Sequence, residues 1–249
     1  MRSSATVTMP NAVSTGRDRE RQVRRLFSEI APRYDLLNHL LSLNVDRWWR
    51  RVAVDRLGSF DRGREARVLD ACAGTLDLGL ELAGRKGFRG NVVAVDFAYP
   101  MLAEGMRKVD GRSVHPVCGD GLRLPFPDAV FDGAVVGFGV RNLSDMDRGF
   151  RELSRVLRPG GRLVILEFTT PPGRLMKRLY LFYFHHILPL VGRWTSGHEW
   201  AYTYLPESVK EYPQPVEVAR RLGEAGFEGV SWSYLTGGIT ALHLARRAG

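Results

Sequence analysis

The first clear hydrophobic pattern in the chain places apolar residues three and four positions apart, at Val23, Leu26, Phe27 and Ile30. This period predicts an amphipathic helix that begins at Asp18 and ends before Pro32. A second helix is predicted from about Asp46 to Leu57. Together these helices are expected to form a helical cap, residues 18–60, ahead of the main sheet.

Farther along the chain, short apolar runs alternate with amphipathic stretches. Strands are predicted at residues 67–71, 91–95, 114–118, 130–138 and 162–168. Helices are predicted between them at residues 76–85, 100–108 and 145–157. Strands that alternate with helices indicate an α/β fold with a parallel sheet and right-handed crossovers.

The end of the chain has a different pattern. A helix at residues 216–225 precedes two strands, 229–234 and 239–246, and the turn between these strands is Thr236-Gly237-Gly238. A glycine-rich turn between two β-rich runs predicts an antiparallel hairpin. A mostly parallel, Rossmann-like sheet that ends in such a hairpin is typical of class I S-adenosylmethionine-dependent methyltransferases, and we expect that fold.

The pattern also predicts how the domain is divided. Residues 1–17 lack an apolar period and contain no acid, so we interpret them as a disordered tail. We expect one domain over residues 18–249, with a cofactor-binding core at 66–168 and a substrate or lid insertion at 169–215. The last part, residues 216–249, holds the final helix and the hairpin.

Composition narrows the choice of function. The chain has 249 residues and a formal charge of +9, but its arginines are spread along the whole sequence and its lysines number only four. Because nucleic-acid binding needs clustered basic residues, we expect none here. Cys72 and Cys118 have no neighbours at metal-ligand spacing, so we predict no disulfide, no metal site and a cytoplasmic setting. The chain lacks an apolar run of about 18 residues that would span a membrane.

The turn after the first predicted strand is made of small residues and has an acid at each end. A dinucleotide-binding turn carries the pattern G-x-G-x-x-G, whereas this turn has a single glycine. Its carboxylates would repel a pyrophosphate, but they suit a ligand with an ammonium and a sulfonium group. We therefore expect S-adenosylmethionine rather than NAD, bound by Asp70, Gly74, Thr75 and Asp77.

Two further acids follow the next two strands. Asp96 closes the second strand, where a carboxylate can accept hydrogen bonds from ribose hydroxyls. Asp120 follows the third strand and can accept from an adenine amino group, beside the backbone of Gly121. Any one of these acids alone could be a helix cap or a solvated loop residue. Acids at three successive strand ends favour a cofactor site.

Five motifs, spread over nearly all of the chain after the tail, carry a resemblance to a known family. They are F-x-x-I-A-x-x-Y-D-x-x-N at 27–38, L-P-F-P-D at 124–128, F-G-x-R-N at 138–142, Y-x-Y-L-P-E-S at 202–208 and A-L-H at 241–243. The chain thereby resembles the quinone-biosynthesis C-methyltransferases, which act on demethylmenaquinol and on the polyprenyl-methoxy-benzoquinol precursor of ubiquinone.

The resemblance implies S-adenosylmethionine-dependent carbon methylation of a prenylated quinol ring. Arg141 and Asn142 lie just beyond the fourth strand, and we expect them to be catalytic: Arg141 would stabilise a phenolate and Asn142 would orient a hydroxyl or a water. Alternatively, Arg141 pairs structurally with an acid such as Asp77 or Asp145. The remaining candidates are Tyr34 for the cofactor and, for the substrate, Asn38, Phe138, Tyr202 and His243. His243 could instead be a structural histidine.

The cofactor turn departs from the family pattern. The family usually has G-G-T-G-D where this chain has A-G-T-L-D at 73–77, so Leu76 replaces a glycine. We expect Leu76 to be tolerated if its φ is negative and its side chain lies between sheet and helix. The alternatives are a methyltransferase for another small apolar acceptor, or a non-catalytic scaffold of quinone synthesis with a weakened cofactor turn.

The stretch from Arg174 to Val191 is interpreted as helical. It is apolar on nearly all sides from Leu179 to Phe184, and Pro189 interrupts it. A helix of this kind could pack between core and cap, or form a wall for a prenyl tail near a membrane. Lys177, Arg178 and Arg193 would favour peripheral contact with anionic lipid. The sequence leaves open whether the ring is a naphthoquinol or a benzoquinol and whether the chain forms a homodimer.

Overall fold

The computed structural model describes residues 17–60, 65–183 and 199–249, so most of the predicted tail lies outside the described part. The helices are α1 Arg17–Ile30, α2 Tyr34–Leu41, α3 Val45–Leu57, α4 Asp77–Ala83, α5 Tyr99–Met106, α6 Met146–Val156, α7 Arg174–Phe182, α8 Glu199–Glu211 and α9 Pro215–Glu224. The strands are β1 Ala66–Ala71, β2 Gly90–Asp96, β3 Val114–Cys118, β4 Phe131–Gly137, β5 Leu157–Phe168, β6 Phe227–Leu235 and β7 Thr240–Arg247.

The strands form one sheet in the order β3-β2-β1-β4-β5-β7-β6. The first five strands of the chain run parallel, whereas β7 is antiparallel to both β5 and β6. This arrangement confirms the predicted fold with its terminal hairpin. After β1 the chain builds the sheet outward through β2 and β3, and then returns to place β4 on the other side of β1. Ligands of doubly wound sheets bind at such a reversal of strand order.

Helices cover both faces of the sheet. Along β1, Val68 packs on the face covered by α3 and α4, while the next residue, Leu69, packs on the face covered by α6 and α9. Both side chains are completely buried. Because successive side chains of a strand point to opposite faces, the near-continuous apolar runs of the sequence reflect a sheet buried on both sides.

Two helices were not among the sequence predictions. The first helix ends at Ile30, near the predicted place, but Pro32 lies in a short 3-10 turn, Ala31–Arg33, and α2 begins directly after it. Proline is tolerated there because the first residues of a helical turn need no N–H donor. The second is α8, which contains Pro206 in its interior. In the described part of the chain, no helix has both the length and the hydropathy needed to cross a bilayer.

Leu76 adopts a conformation different from the one expected. Its φ is +67°, in the left-handed region, rather than negative. Its side chain nevertheless lies between sheet and helix, as expected: it is completely buried and belongs to the core on the α3 and α4 face. Gly105 in α5 leaves room for it, since a Cβ at that position would lie 2.4 Å from Leu76 Cγ. Burial of the leucine offsets a left-handed strain of about 1–2 kcal/mol.

We predict that Leu76→Ala lowers the free energy of unfolding by about 2–4 kcal/mol, because it leaves a cavity and keeps the strained backbone. Leu76→Gly loses the same side chain but recovers about 1 kcal/mol, since glycine adopts positive φ readily. Urea unfolding followed by circular dichroism measures both values. Leu175→Ala, at a leucine that is 74% exposed, is the control and should change stability by less than about 0.5 kcal/mol. Wild-type stability in Leu76→Ala would contradict the packing argument.

Candidate active site

A cleft lies where the carboxyl ends of the central strands meet. Its walls include Gly74 after β1, Asp96 at the end of β2, Asp120 and Gly121 after β3, and Phe138 after β4. The structure thus brings together predicted site residues from four different strand ends. Because parallel strands share a carboxyl edge, residues far apart in sequence meet here.

Asp96 is held firmly by backbone donors. Its Oδ2 accepts a hydrogen bond of 2.9 Å from the N–H of Gly74, and its Oδ1 accepts one of 2.9 Å from the N–H of Ala98. Burial raises the pKa of this carboxyl, and the backbone hydrogen bonds counteract part of the rise. Asp96 therefore ties the turn after β1 to the end of β2 and presents a fixed carboxyl to the cleft.

Asp120 is more accessible to solvent than Asp96. It is exposed, and its Oδ1 accepts a hydrogen bond of 2.8 Å from the N–H of Leu122. A carboxylate accepts several hydrogen bonds, so the remaining lone pairs of Asp120 can receive a ligand donor. Asp96 and Asp120 provide two acceptors at neighbouring strand ends of one cleft, which suits the hydroxyl and amino groups of a nucleoside.

Asp70 and Asp77 do not line this cleft. Asp70 is completely buried beneath the turn, and its Oδ2 accepts a hydrogen bond of 2.8 Å from the N–H of Gly79. Burial raises the pKa of Asp70 to about 7, an effect that the nearby Asp96 and Asp77 strengthen. Asp77 begins α4, and its carboxylate lies beside Arg50 of the cap and Lys108 after α5. The cofactor roles of both acids stay predictions.

A group of charged side chains joins the cap to the turn after β1. We call it the cap cluster, and it comprises Asp35, Asp46, Arg50, Asp77 and Lys108. Lys108 Nζ lies 2.6 Å from Asp35 Oδ2 and 2.5 Å from Asp77 Oδ1. Arg50 pairs with Asp46 and lies 3.3 Å from Asp77 Oδ2. The cluster holds α2 and α3 against the start of α4.

Two further contacts close the cap over the cleft. The hydroxyl of Thr75 donates to Asp35 Oδ1 at 2.5 Å, which places the neighbouring Tyr34 at the cleft wall. On the other side, Ser144 donates to Glu20 Oε1 of α1 at 2.6 Å. The cap therefore forms one wall of the cleft. Of the predicted cofactor residues, Thr75 contacts the cap and Tyr34 faces the cleft.

A second, apolar cavity adjoins the cleft. It encloses about 340 Å³, within the range of small-molecule sites, and it shares Phe27, Tyr34 and Phe138 with the cleft. Asn38 and Arg141 are among its polar lining residues, together with Ser42, Asp46, Arg50 and Thr236. Three aromatic rings form one wall: the centroid of Phe168 is 4.5 Å from that of Phe138 and 5.9 Å from that of Trp49.

Arg141 lies at this wall in a buried ion pair. It belongs to the short 3-10 turn Val140–Asn142, and its Nη1 donates to Glu167 Oε1 at 2.7 Å and to the carbonyl of Phe138 at 2.5 Å. Glu167 is completely buried, and it also accepts from the backbone N–H groups of Arg141 and Phe168. The partner is thus neither Asp77 nor Asp145. The Nε of Arg141 has no hydrogen-bond partner among the described residues.

Asn142 faces the cleft while its neighbour Arg141 lines the apolar cavity. Its Oδ1 accepts a hydrogen bond of 2.7 Å from the hydroxyl of Tyr204 in α8, and its Nδ2 donates to the carbonyl of Phe138 at 3.3 Å. The two predicted catalytic residues therefore stand on either side of the junction between cleft and cavity. The side chain of Tyr202 lies outside the described residues.

His243 lies away from both cavities. It is almost completely buried in β7, its Nε2 donates to the carbonyl of Pro215 at 3.0 Å, and its ring stacks on Trp232. Burial lowers the pKa of His243 to about 4. A neutral, enclosed imidazole fits the structural alternative, and its substrate role stays a prediction.

Sequence reasoning missed three residues that shape the site: Glu167, Arg50 and Tyr204. Glu167 stands near the end of an apolar run in β5, and a carboxylate in a buried strand was itself a signal, because acids are rarely buried without a partner. Arg50 follows two tryptophans, and Tyr204 follows Tyr202 by two positions. In the described ranges, no group of three His, Cys, Asp or Glu residues is arranged to hold a metal ion.

The sheet order, the hairpin and the cleft at the strand ends define a class I S-adenosylmethionine-dependent methyltransferase. A methyltransferase of this type from Thermotoga maritima superposes with a TM-score of 0.62 at 16% identity, covering 90% of this chain and 98% of that chain. A second methyltransferase, from Aquifex aeolicus, superposes with a TM-score of 0.52 at 20% identity, and the match covers 74% of this chain and 83% of that chain. At such identities the likeness is one of fold.

Residues 15–247 match the ubiE/COQ5 methyltransferase family, and the chain belongs to this family. A demethylmenaquinone methyltransferase of Thermus thermophilus is 46% identical over 224 residues, which cover 89% of this chain and all of the relative. An enzyme of the same name from Mycolicibacterium vanbaalenii is 44% identical, and the match covers 91% of this chain and 95% of the relative. Another from Deinococcus radiodurans is 43% identical, and the match covers 92% of this chain and 94% of the relative. The methyl donor is S-adenosylmethionine, and a non-catalytic scaffold is not favoured.

We predict that Asp96→Asn weakens S-adenosylmethionine binding about 10- to 100-fold, because a charged acceptor held in the cleft becomes neutral. Titration calorimetry measures the dissociation constant. The matched control is Asp110→Asn, at an exposed aspartate outside the cleft, which should bind as the wild type does. Equal affinities in both variants would remove Asp96 from the cofactor site.

The raised pKa of Asp70 predicts a pH-dependent stability. Between about pH 4 and pH 7 the folded state holds a proton that the unfolded chain releases, so this carboxyl lowers the free energy of unfolding as the pH rises. Asp70→Asn removes the effect and keeps an acceptor for Gly79. From pH 5 to pH 8 the variant should gain about 2–3 kcal/mol relative to the wild type in urea unfolding. A constant difference across this range would show that Asp70 titrates normally.

Proposed function

We propose that the chain transfers a methyl group from S-adenosylmethionine to a ring carbon of a prenylated quinol, and that this quinol is a demethylmenaquinol. The observation that carries the proposal is the aromatic cavity that adjoins the cofactor cleft through Tyr34 and Phe138, with Arg141 in its wall. The naphthoquinol ring is supported by the name shared by the relatives that are 43–46% identical.

The cavity suits a flat ring that carries an apolar chain. Phe138, Phe168 and Trp49 supply aromatic surface, while Asn38 and Arg141 supply a few polar groups. Apolar pockets with a small number of polar groups bind their ligands by burial and fix the orientation by hydrogen bonds. We infer that the ring lies against the aromatic wall and that the prenyl chain extends toward α2 and α7, which line the far part of the cavity.

Arg141 is suited to stabilise the ionised form of a ring hydroxyl. Glu167 holds its guanidinium in place through Nη1, and the Nε–H keeps a donor that no described residue uses. A phenolate would accept a hydrogen bond from this cation in a site that is shielded from water, where such bonds are strong. Ionisation raises the electron density at the adjacent ring carbon, which is the atom to be methylated.

The bound cofactor supplies an electrophilic methyl group on a sulfonium. Phe138 and Tyr34, which line both the cleft and the apolar cavity, would bring the ring and the methyl donor together and exclude water between them. An anionic nucleophile and a cationic donor merge into a less charged transition state, so positioning and desolvation supply much of the acceleration. The new carbon–carbon bond replaces the sulfur–methyl bond, and the ring then loses its proton.

A prenylated quinol resides in the hydrocarbon of a membrane. We therefore also propose that the protein works from the cytoplasmic side as a peripheral protein that contacts the membrane while it takes up its substrate. The exposed apolar side chains of α2 and α7, beside the cavity, support this contact.

The assay that tests the function follows the transfer of a labelled methyl group to reduced demethylmenaquinone and, separately, to a reduced polyprenyl-methoxy-benzoquinol. We expect faster turnover of the naphthoquinol. Equal or faster turnover of the benzoquinol would overturn the choice of substrate. Methylation of neither ring would overturn the proposed function itself.

We predict that Arg141→Gln lowers kcat about 100- to 1,000-fold, because the phenolate loses a charged hydrogen-bond donor. Affinity for S-adenosylmethionine should stay within about 3-fold, since Arg141 lines the cavity rather than the cleft. Because a lone Glu167 would be a buried, unpaired charge, the double variant Arg141→Gln/Glu167→Gln is made alongside to preserve folding. Arg220→Gln, at a half-exposed arginine on α9, is the control. Unchanged turnover in the folded variants would exclude Arg141 from the mechanism.

A further inference from the structure

Two neighbouring helices at the apolar cavity each expose a stripe of large apolar side chains. The stripe of α2 and its following turn consists of Leu36, Leu40 and Leu43, and that of α7 consists of Leu175, Leu179 and Phe182. In α7 the residues are spaced by four and then three positions, so they share one helix face. In α2, Leu36 and Leu40 share a face, and Leu43 follows in the turn after the helix. Their exposed fractions run from 39% to 75%. We call these six residues the rim.

The rim adjoins the cavity. Leu37 of α2 and Tyr180 of α7 belong to one buried apolar cluster, and the hydroxyl of Tyr183 donates to the carbonyl of Leu41 at 2.7 Å. Leu43 and Leu179 both belong to the rim and also line the cavity. The exposed apolar surface is thus continuous with the buried apolar surface that would receive a prenyl chain.

Basic side chains lie beside the rim on α7. Arg174, Lys177 and Arg178 are all exposed, and α7 contains no acidic residue. An apolar stripe flanked by arginine and lysine has the composition of a helix that lies in the interface of an anionic membrane. Two copies meeting face to face would oppose like charges, which disfavours a dimer through this face.

We propose that the rim docks on an anionic lipid surface, with its leucines and Phe182 in the interfacial layer and the basic groups of α7 at the lipid phosphates. In this orientation the cavity opens toward the acyl chains, and a prenylated ligand enters without crossing water. The docking itself rests on the rim and its charges, whereas its use as a substrate route rests on the proposed function.

Vesicle flotation tests the docking directly. The full chain is mixed with vesicles of phosphatidylcholine alone and with vesicles in which about one third of the lipid is phosphatidylglycerol. We expect at least about 10-fold stronger binding to the anionic vesicles, and a decrease in that binding as the salt concentration rises, because exposed charges are screened. Equal binding to both kinds of vesicle, or binding to neither, would overturn the proposal.

The variants separate apolar from electrostatic contributions. Leu36→Gln/Leu175→Gln should weaken binding to anionic vesicles about 10- to 100-fold, because two exposed leucines no longer enter the interface. Its control, Met106→Gln/Val216→Gln, changes two side chains of similar exposure outside the rim.

The electrostatic contribution is tested by Lys177→Gln/Arg178→Gln, which should weaken binding to anionic vesicles about 10-fold. The charge-matched control is Lys86→Gln/Arg89→Gln, in the exposed loop before β2, and it should bind as the wild type does. Equal losses in rim and control variants would show that no specific face docks.

Turnover distinguishes a failure of docking from a failure of the proposed function. Leu36 and Leu175 do not line the cavity, so their double variant should methylate a detergent-dispersed naphthoquinol with a short side chain at the wild-type rate. On prenylated quinol embedded in anionic vesicles, the same variant should be at least about 5-fold slower. If the wild-type protein methylates neither substrate, the proposed function is refuted but the docking is not. If the rim variant instead dissociates a dimer in sedimentation and floats as the wild type does, the face contacts a second copy and the lipid assignment is wrong.

Discussion

The buried ion pair between Arg141 and Glu167 is the contact on which the arrangement of the site depends. It links the end of β4 to the end of β5, and Glu167 also accepts from the backbone of the turn that carries Arg141. Removing either partner would leave an unpaired charge in a buried region, which costs several kcal/mol. The pair therefore fixes both the backbone and the guanidinium, and it sets a cation in the wall between cofactor cleft and apolar cavity.

The same region concentrates backbone strain. Cys72, Leu76 and Phe138 are non-glycine residues with φ between +54° and +67°, and they lie at or just after the ends of β1 and β4. Residues in this conformation persist where the surroundings overdetermine them, commonly at functional sites. Here the surroundings are the core around Leu76, the hydrogen bond from Gly74 to Asp96 and the cap cluster. Leu76 adopts a left-handed backbone conformation while its side chain is buried in the core rather than in the cleft.

The parts that could be predicted from sequence are those with a local signal. The amphipathic period of α1, the alternation of strands and helices, and the glycine-rich turn before β7 each depend on a few neighbouring residues. The helix α2 was missed because it is eight residues long and begins two residues after Pro32. Its apolar period is therefore short, and the proline before it reads as the end of a helix rather than as the start of one. The proline inside α8 had the same effect. Of the candidate site, Asp96, Asp120, Gly74 and Phe138 come together in one cleft, as strand ends of a parallel sheet must.

The sequence by itself determined the fold class, the family and the strand ends that bear functional groups, because these depend on spacing along the chain. Only the tertiary structure decided which partner each charge has. Asp70 and Asp96 both end strands of the same sheet, yet one carboxyl turns under α4 to meet Gly79 and the other faces the cleft. Arg141 meets an acid 26 positions away rather than either acid considered from the sequence. Such pairings depend on side-chain direction and burial in three dimensions, which spacing in one dimension does not specify.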